Sequence, residues 1–233
     1  MNEKNVMNAV KAAALIAAAV VGTAFAQPQT QPQQPQSSSR TAGTFTDARD
    51  GKKYKTVTIG KQTWMARNLN YLPKPGNSWC YDNDTSNCGK YGRLYDFQTA
   101  MAVCPSGFHL PSREEWDTLV AAAGGDKTTA GKKLRARSGW SWNKDSNGTD
   151  DYGFSALPGG ARNIMPMPGS GNHDLFGVFG GIGNYGNWWT RSRSTEADGD
   201  GVAYYRSMGF GDGRLYDNIH GLDNAFSVRC VAD

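Results

Sequence analysis

The chain has 233 residues, 38% of them hydrophobic and 20% charged, and its 25 Lys and Arg stand against 21 Asp and Glu for a formal net charge of +4. That length allows one or two domains. Charges of both signs are interspersed, with no basic block and no basic amphipathic helix, which argues against nucleic acid and against a membrane surface as partners.

Residues 1–26 read as a cleavable signal peptide. Lys4 and Lys11 form a positive n-region, Ala12 to Val21 is an uncharged apolar run, and Ala24-Phe25-Ala26 is a small-x-small cleavage site before Gln27. The apolar run falls well short of the ~20 residues a membrane span needs, so no span is expected after cleavage. A bacterial lipoprotein would carry Cys where Gln27 stands. Cleavage removes two cations and one anion, turning 25 minus 21 into 23 minus 20, a net +3. The expected location is therefore beyond the inner membrane: periplasm, outer surface or extracellular space.

Residues 27–43 form a Gln/Pro/Ser-rich spacer with almost nothing to bury, and 44–233 form the globular part. Tyr54 to Ile59 and Gln62 to Ala66, β-rich runs about Gly60-Lys61, predict a hairpin. Leu94, Phe97, Ala100 and Met101 are spaced for a short helix over 94–103. The clearest helix start is Pro111-Ser112-Arg113-Glu114-Glu115-Trp116, where Ser112 and Glu115 form a capping box and Gly124-Gly125 stops the helix. Later come short aromatic runs read as strands: Gly153 to Leu157, Asn187 to Thr190, Val202 to Tyr205 and Phe226 to Cys230. The layout is α+β, two helices early and loop-rich strands late.

Four cysteines in an exported chain favour two disulfides over thiol or zinc chemistry, and four allow three pairings. Cys80 and Cys88 share one polar loop, so a local bridge is the economical choice and Cys104–Cys230 follows by elimination. His109, His173 and His220 are too scattered for a zinc site.

The motifs Thr58-Ile59-Gly60-Lys61-Gln62-Thr63-Trp64-Met65-Ala66-Arg67-Asn68-Leu69, Tyr91-Gly92-Arg93-Leu94-Tyr95, Cys104-Pro105-Ser106-Gly107-Phe108-His109-Leu110-Pro111-Ser112, Gly153-Phe154-Ser155-Ala156-Leu157-Pro158-Gly159-Gly160, Trp188-Trp189 and Ser227-Val228-Arg229-Cys230-Val231 stand in this order. Together they closely resemble the Fibrobacter succinogenes major paralogous domain family, from roughly Thr44 to the end, with Phe108 where that family commonly has Trp. The resemblance implies a branch of the C-type-lectin-like and sulfatase-modifying-factor folds. Its expected form is two short helices, a small twisted antiparallel sheet, long loops, and a disulfide from the helical half to the last strand. Family membership does not fix activity.

Candidate chemistry is sparse. Sulfatase-modifying-factor relatives include an oxidase that holds copper on two late cysteines, whereas only Cys230 lies late here. No Gly-x-Ser-x-Gly elbow, His-Glu-x-x-His helix or P-loop occurs; His109 reads as a packing or hydrogen-bonding residue and Asp150-Asp151 as turn formers. Asp82-Asn83-Asp84 and Glu196 to Gly201 alternate oxygen ligands but fail as EF-hands, with Asn87 for Gly, and Arg93 or Ser207 at the closing position. No Glu-Pro-Asn or Gln-Pro-Asp sugar signature is present in the globular part. The cofactor expectation is none, with a structural calcium in a loop as the lesser alternative.

Seven Trp and ten Tyr exceed what a small core must bury, which places some at the surface, particularly among Trp140, Trp142, Trp189 and Tyr204. Alternation over Asn187 to Arg193 puts Trp189 with Arg191 and Arg193 on one face, assigned to solvent, and Trp188 on the other, assigned to the core. Tyr204 follows outward with Arg206. Trp189, Arg191 and Tyr204 thus form the expected ligand surface. The resulting expectation is an exported, non-catalytic binding or surface module for a glycan, a protein or an envelope surface. The alternatives are a metal-dependent enzyme related to sulfatase-modifying factors and a purely structural envelope component.

Overall fold

Gly60 takes φ 61°, the left-handed region open to glycine, and there the chain reverses between the β-branched run Thr56 to Ile59 and Gln62 to Met65, paired from Thr56↔Met65 to Ile59↔Gln62. The expected hairpin is formed. The computed structural model describes residues 42–141, 144–166, 175–194 and 201–233, all within the compact unit Ser38–Asp233.

In chain order the elements are β1 (Ala42–Thr46), β2 (Lys53–Ile59), β3 (Gln62–Met65), β4 (Ser78–Trp79), α1 (Thr85–Tyr91), β5 (Leu94–Tyr95), α2 (Phe97–Ala102), β6 (Phe108–His109), α3 (Arg113–Ala122), α4 (Lys127–Leu134), β7 (Gly159–Pro166), β8 (Leu175–Ile182), β9 (Tyr185–Arg193), β10 (Val202–Gly209), β11 (Tyr216–Gly221), β12 (Phe226–Ser227) and β13 (Val231–Ala232). One sheet runs β1-β2-β3-β13-β6 and the other β11-β10-β9-β12-β5-β4, with the β7–β8 hairpin joined to β9 through Gly160↔Gly186. Contacts of β9 with β12 and β7 are parallel, so the second sheet is mixed.

The fold is α+β, as expected, but larger than two helices and a small antiparallel sheet. Four α-helices are present among the described residues. The first begins within the Cys80–Cys88 loop and runs on to Tyr91, its Asp84 cap accepting from Ser86 N at 2.8 Å; the fourth is capped by Asp126, which accepts from Thr128 N at 2.8 Å. The helix expected over 94–103 begins only at Phe97, because Leu94 and Tyr95 pair with β4 and β12 and Asp96 caps the helix from Thr99 N. Helix α3 carries the expected capping box, Ser112 Oγ accepting from Glu115 N and a Glu115 carboxylate oxygen accepting from Ser112 N. The run Gly153 to Leu157 is not a strand: Ser155 has φ 53°, and only Ala156 makes an isolated bridge, to Arg135.

Two apolar clusters fill the core, and the adjacent Trp188 and Trp189 of β9 belong one to each. Trp64, Trp116, Leu119, Phe154 and Trp188 pack in one, and Tyr95, Phe97, Trp189, Phe226 and Val228 in the other. Burying an aromatic of this size removes 150–250 Å² from water, which at roughly 25 cal/mol per Å² contributes about 4–6 kcal/mol as an upper bound. Both disulfides form as expected, Cys80–Cys88 and Cys104–Cys230, and no described cysteine is free. The second bridge ties the segment after α2 to the chain end beside β13.

Candidate functional site

Trp189 is wholly buried and cannot present a ligand surface. Alternation along β9 holds, with Trp188 and Trp189 on opposite faces, but α2 and β12 cover the face assigned to solvent: Phe97 and Phe226 lie 5.5 and 4.4 Å from the Trp189 ring. Trp189 pairs with Tyr205, so Tyr204 belongs to the opposite face. Tyr204 is half-buried beneath the Arg113 guanidinium, 4.2 Å above its ring. Arg191 is exposed. The three residues therefore do not form one aromatic surface. Arg206, expected outward, is wholly buried because two carboxylates meet it: Nη2 donates to Asp117 Oδ1 at 3.0 Å, and Nη1 stands 3.5 Å from Asp217 Oδ1, close enough for attraction without hydrogen-bond geometry. Trp140 is buried as well, and Trp142 lies outside the described residues.

The C-terminal sheet carries a different concavity. A cleft of about 370 Å³ is lined by Ala161, Asn163, Gly180, Gly181, Tyr185, Asn187, Tyr205, His220 and Phe226. Strand parity puts Tyr185 and Asn187 on the Trp189 face of β9, and Tyr205 beside them on β10. Tyr205 and Phe226 rings lie 4.5 Å apart, and His220 stands 6.1 and 5.7 Å from them. Tyr185 is 47% exposed and braced edge-on by Phe210 at 5.7 Å. At Gly181, φ is 80° and an added Cβ would come within 3.2 Å of the Tyr185 ring, so glycine there keeps this ring in place.

The polar groups are few and separated. Asn187 Nδ2 donates to Gly160 O at 3.2 Å, which orients the amide and leaves its oxygen as an acceptor. Burial pushes the His220 pKa down, and Nδ1 accepts from Gly221 N at 2.9 Å, so the neutral ring carries its proton on Nε2. Burial pushes the Tyr205 pKa up, keeping the phenol a neutral donor and acceptor. This cleft can therefore offer apolar ring faces, amides and neutral hydroxyl and imidazole groups to a ligand, and no formal charge.

The sequence reading put the Trp189 face of β9 in solvent, whereas the concavity lies further along that face and is lined by Asn163, Tyr185, Asn187, Tyr205, His220 and Phe226, none of which it had singled out as a ligand contact. The signal within reach was parity: Tyr185 and Asn187 share the face of Trp189. The other candidates resolve into structure. Asp82 and Asn83 have φ 54° and 57° in a turn that leads to the Asp84 cap, Asp150 accepts from Ser155 N and Oγ at 2.8 and 2.6 Å, and His109 bridges Glu115 and Asp233 at 2.7 Å each. Glu196 to Asp200 and His173 lie outside the described residues. No helix among the described residues is long and apolar enough to cross a membrane.

Fold and cleft together define an α+β domain, tied by two disulfides, with an uncharged aromatic and amide concavity on its C-terminal sheet. The chain belongs to the Fibrobacter succinogenes major domain family, whose family model matches residues 57–232. No curated protein and no solved structure matches the chain.

Proposed function

We propose that this domain is an exported, non-catalytic binding module that takes one or two residues of a neutral glycan into the cleft between Tyr185 and His220. The observation that carries the reading is the meeting of an exposed Tyr185 ring with the Asn163 and Asn187 amides and a neutral His220 in one concavity of about 370 Å³. A sugar ring has an apolar C–H face and a rim of hydroxyls, which matches a ring to stack on and amides to bond to. The volume lies in the range of small-ligand sites. Amides rather than carboxylates line the cleft, so binding is independent of calcium.

The C-type-lectin-like character proposed for the domain rests on its helices in the first half, the long loops and the Cys104–Cys230 tie from the helical half to the chain end. The metal-enzyme alternative requires thiolates for copper, and Cys230 is engaged with Cys104. A glycan array probed with the mature protein, with and without a calcium chelator, tests the proposal. Retention of neutral glycans in both conditions supports it; retention of none favours the purely structural role.

A further inference from the structure

We infer that a second groove, lined in part by β1 and β2 and edged by cations, binds an acidic polysaccharide. A cavity of about 810 Å³ has a largely apolar lining that includes Val57, Ala66 and Leu157, and Lys53, Lys55 and Arg67 stand along it. A smaller cavity of about 130 Å³ continues it, sharing Lys53, Arg67 and Leu157 and adding Lys90. The two share no lining residue with the aromatic cleft, so the inference stands apart from the reading above.

Charge carries the argument. Lys53 and Lys55 are two apart on β2 and project from one face, about 7 Å from each other along the strand, while the buried Tyr54 between them turns inward. Arg67, Lys53, Lys55 and Lys90 are all exposed. Arg67 donates to Gly89 O at 2.9 Å, and Lys90 lies 4.7 Å over the Tyr91 ring, yet none of the four meets a carboxylate among the described residues. Ion pairs there use other cations: Arg49, Lys52, His109, Arg113, Lys127 and Arg206. In a chain so close to neutral, four unpaired cations along one groove form a local field that attracts anions and is screened by salt.

The lining selects among anions. The Thr44 hydroxyl accompanies the cations, and the Ser155 hydroxyl, which donates to Asp150, is left as an acceptor, which suits a chain that carries carboxylates on a hydroxyl-rich backbone. Single-stranded nucleic acid binds through successive aromatic platforms; of the two tyrosines that line this groove, Tyr54 is buried and Tyr152 is partly exposed. An acidic peptide brings no rim of hydroxyls.

Affinity electrophoresis of the full chain against polygalacturonate, neutral galactan, polyglutamate and single-stranded DNA, at low and at high salt, tests the inference. Polygalacturonate should retard the protein at low salt and lose its hold at high salt. The Lys53→Gln/Lys55→Gln/Arg67→Gln variant should bind it about tenfold or more weakly, the scale of losing one or two charge-assisted contacts, while Lys53→Arg/Lys55→Arg retains it and both variants melt with the parent. Tyr185→Ala/Asn187→Ala should leave this binding intact, which separates the groove from the cleft. The inference is overturned if polygalacturonate gives no retardation, if the neutralised variant binds as the parent does, if polyglutamate or DNA binds equally well, or if the cleft variant loses the acidic polymer.

Discussion

Trp188 Nε1 donates to Asn68 Oδ1 at 2.8 Å, and this one oxygen also accepts from Arg229 Nε at 3.1 Å and Nη2 at 2.8 Å. Asn68 itself donates to Tyr91 O and Ser227 Oγ at 2.8 and 3.2 Å. Four segments of the chain, at Asn68, Tyr91, Trp188 and Ser227 to Arg229, thus meet at one buried amide.

The neighbouring indoles should behave alike despite belonging to different clusters. Trp188 and Trp189 are both fully buried, and Trp189 Nε1 donates to Tyr95 O at 2.8 Å. Trp188→Ala and Trp189→Ala should each cost about 3–5 kcal/mol, read as lowered midpoints in thermal or urea unfolding. A Trp189→Ala variant as stable as the parent would place that ring at the surface after all.

Arg229 is a buried cation without a carboxylate. Burial pushes its guanidinium down to about 9, so it remains protonated at neutral pH. Its charge is spread over Asn68, Met65 O at 3.2 Å and Phe154 O at 2.5 Å, with the Phe154 ring 4.5 Å away. Arg229→Met should destabilise by at least about 3 kcal/mol, because several acceptors lose their donor at once. Arg229→Lys should recover only part of that, since a point charge cannot reach the whole set. Urea unfolding of the two variants orders them.

The disulfides differ in the length of chain they close. Cys104–Cys230 spans 126 residues and Cys80–Cys88 spans 8, for which the loop-entropy model gives about 5 and about 2–3 kcal/mol. Removing the long bridge as a Cys104→Ser/Cys230→Ser pair should therefore cost more in unfolding midpoint than removing the short one. Equal losses would assign the effect to the folded state.

His109 couples pH to stability. Its burial alone lowers the imidazole pKa, but hydrogen bonds to Asp233 and Glu115 outweigh it and the folded value is raised above 6.5. A raised folded pKa gives stability that is fully present below the unfolded value and is lost as pH rises through the folded one. His220, whose pKa burial lowers, acts in the opposite sense over the same window, so the quantity to read is the difference between the parent and His109→Gln: measured from about pH 5 to about pH 8, the parent's excess in unfolding free energy should shrink as pH rises. An excess that stays constant with pH would mean that the two carboxylates do not stabilise the imidazolium.

Local chemistry was legible where it was self-contained. The Ser112–Glu115 capping box, the Gly60 reversal and the Cys80–Cys88 bridge each depend on residues within a few positions. What was hidden depends on partners supplied from elsewhere. Arg206 is buried because Asp117 and Asp217 come to it from α3 and β11, and Trp189 is covered by Phe97 and Phe226. Phe154 O serves Arg229 rather than a strand ladder, so an apolar run that looks extended stays a loop. The hairpin of β7 and β8 was missed because Leu175 to Ile182 is glycine-rich and lacks alternation. The cleft was missed for the same reason, since its residues come from β7, β8, β9, β10, β11 and β12.

The cleft itself is the central claim, and titration calorimetry with the neutral oligosaccharide best retained on the array tests it most directly. Parent protein should bind one equivalent, Asn187→Ala and Tyr185→Ala should each weaken it about tenfold or more, and neither should shift the thermal midpoint appreciably, since Tyr185 is half exposed. Binding that survives both substitutions unchanged would contradict the assignment of the cleft as the glycan site.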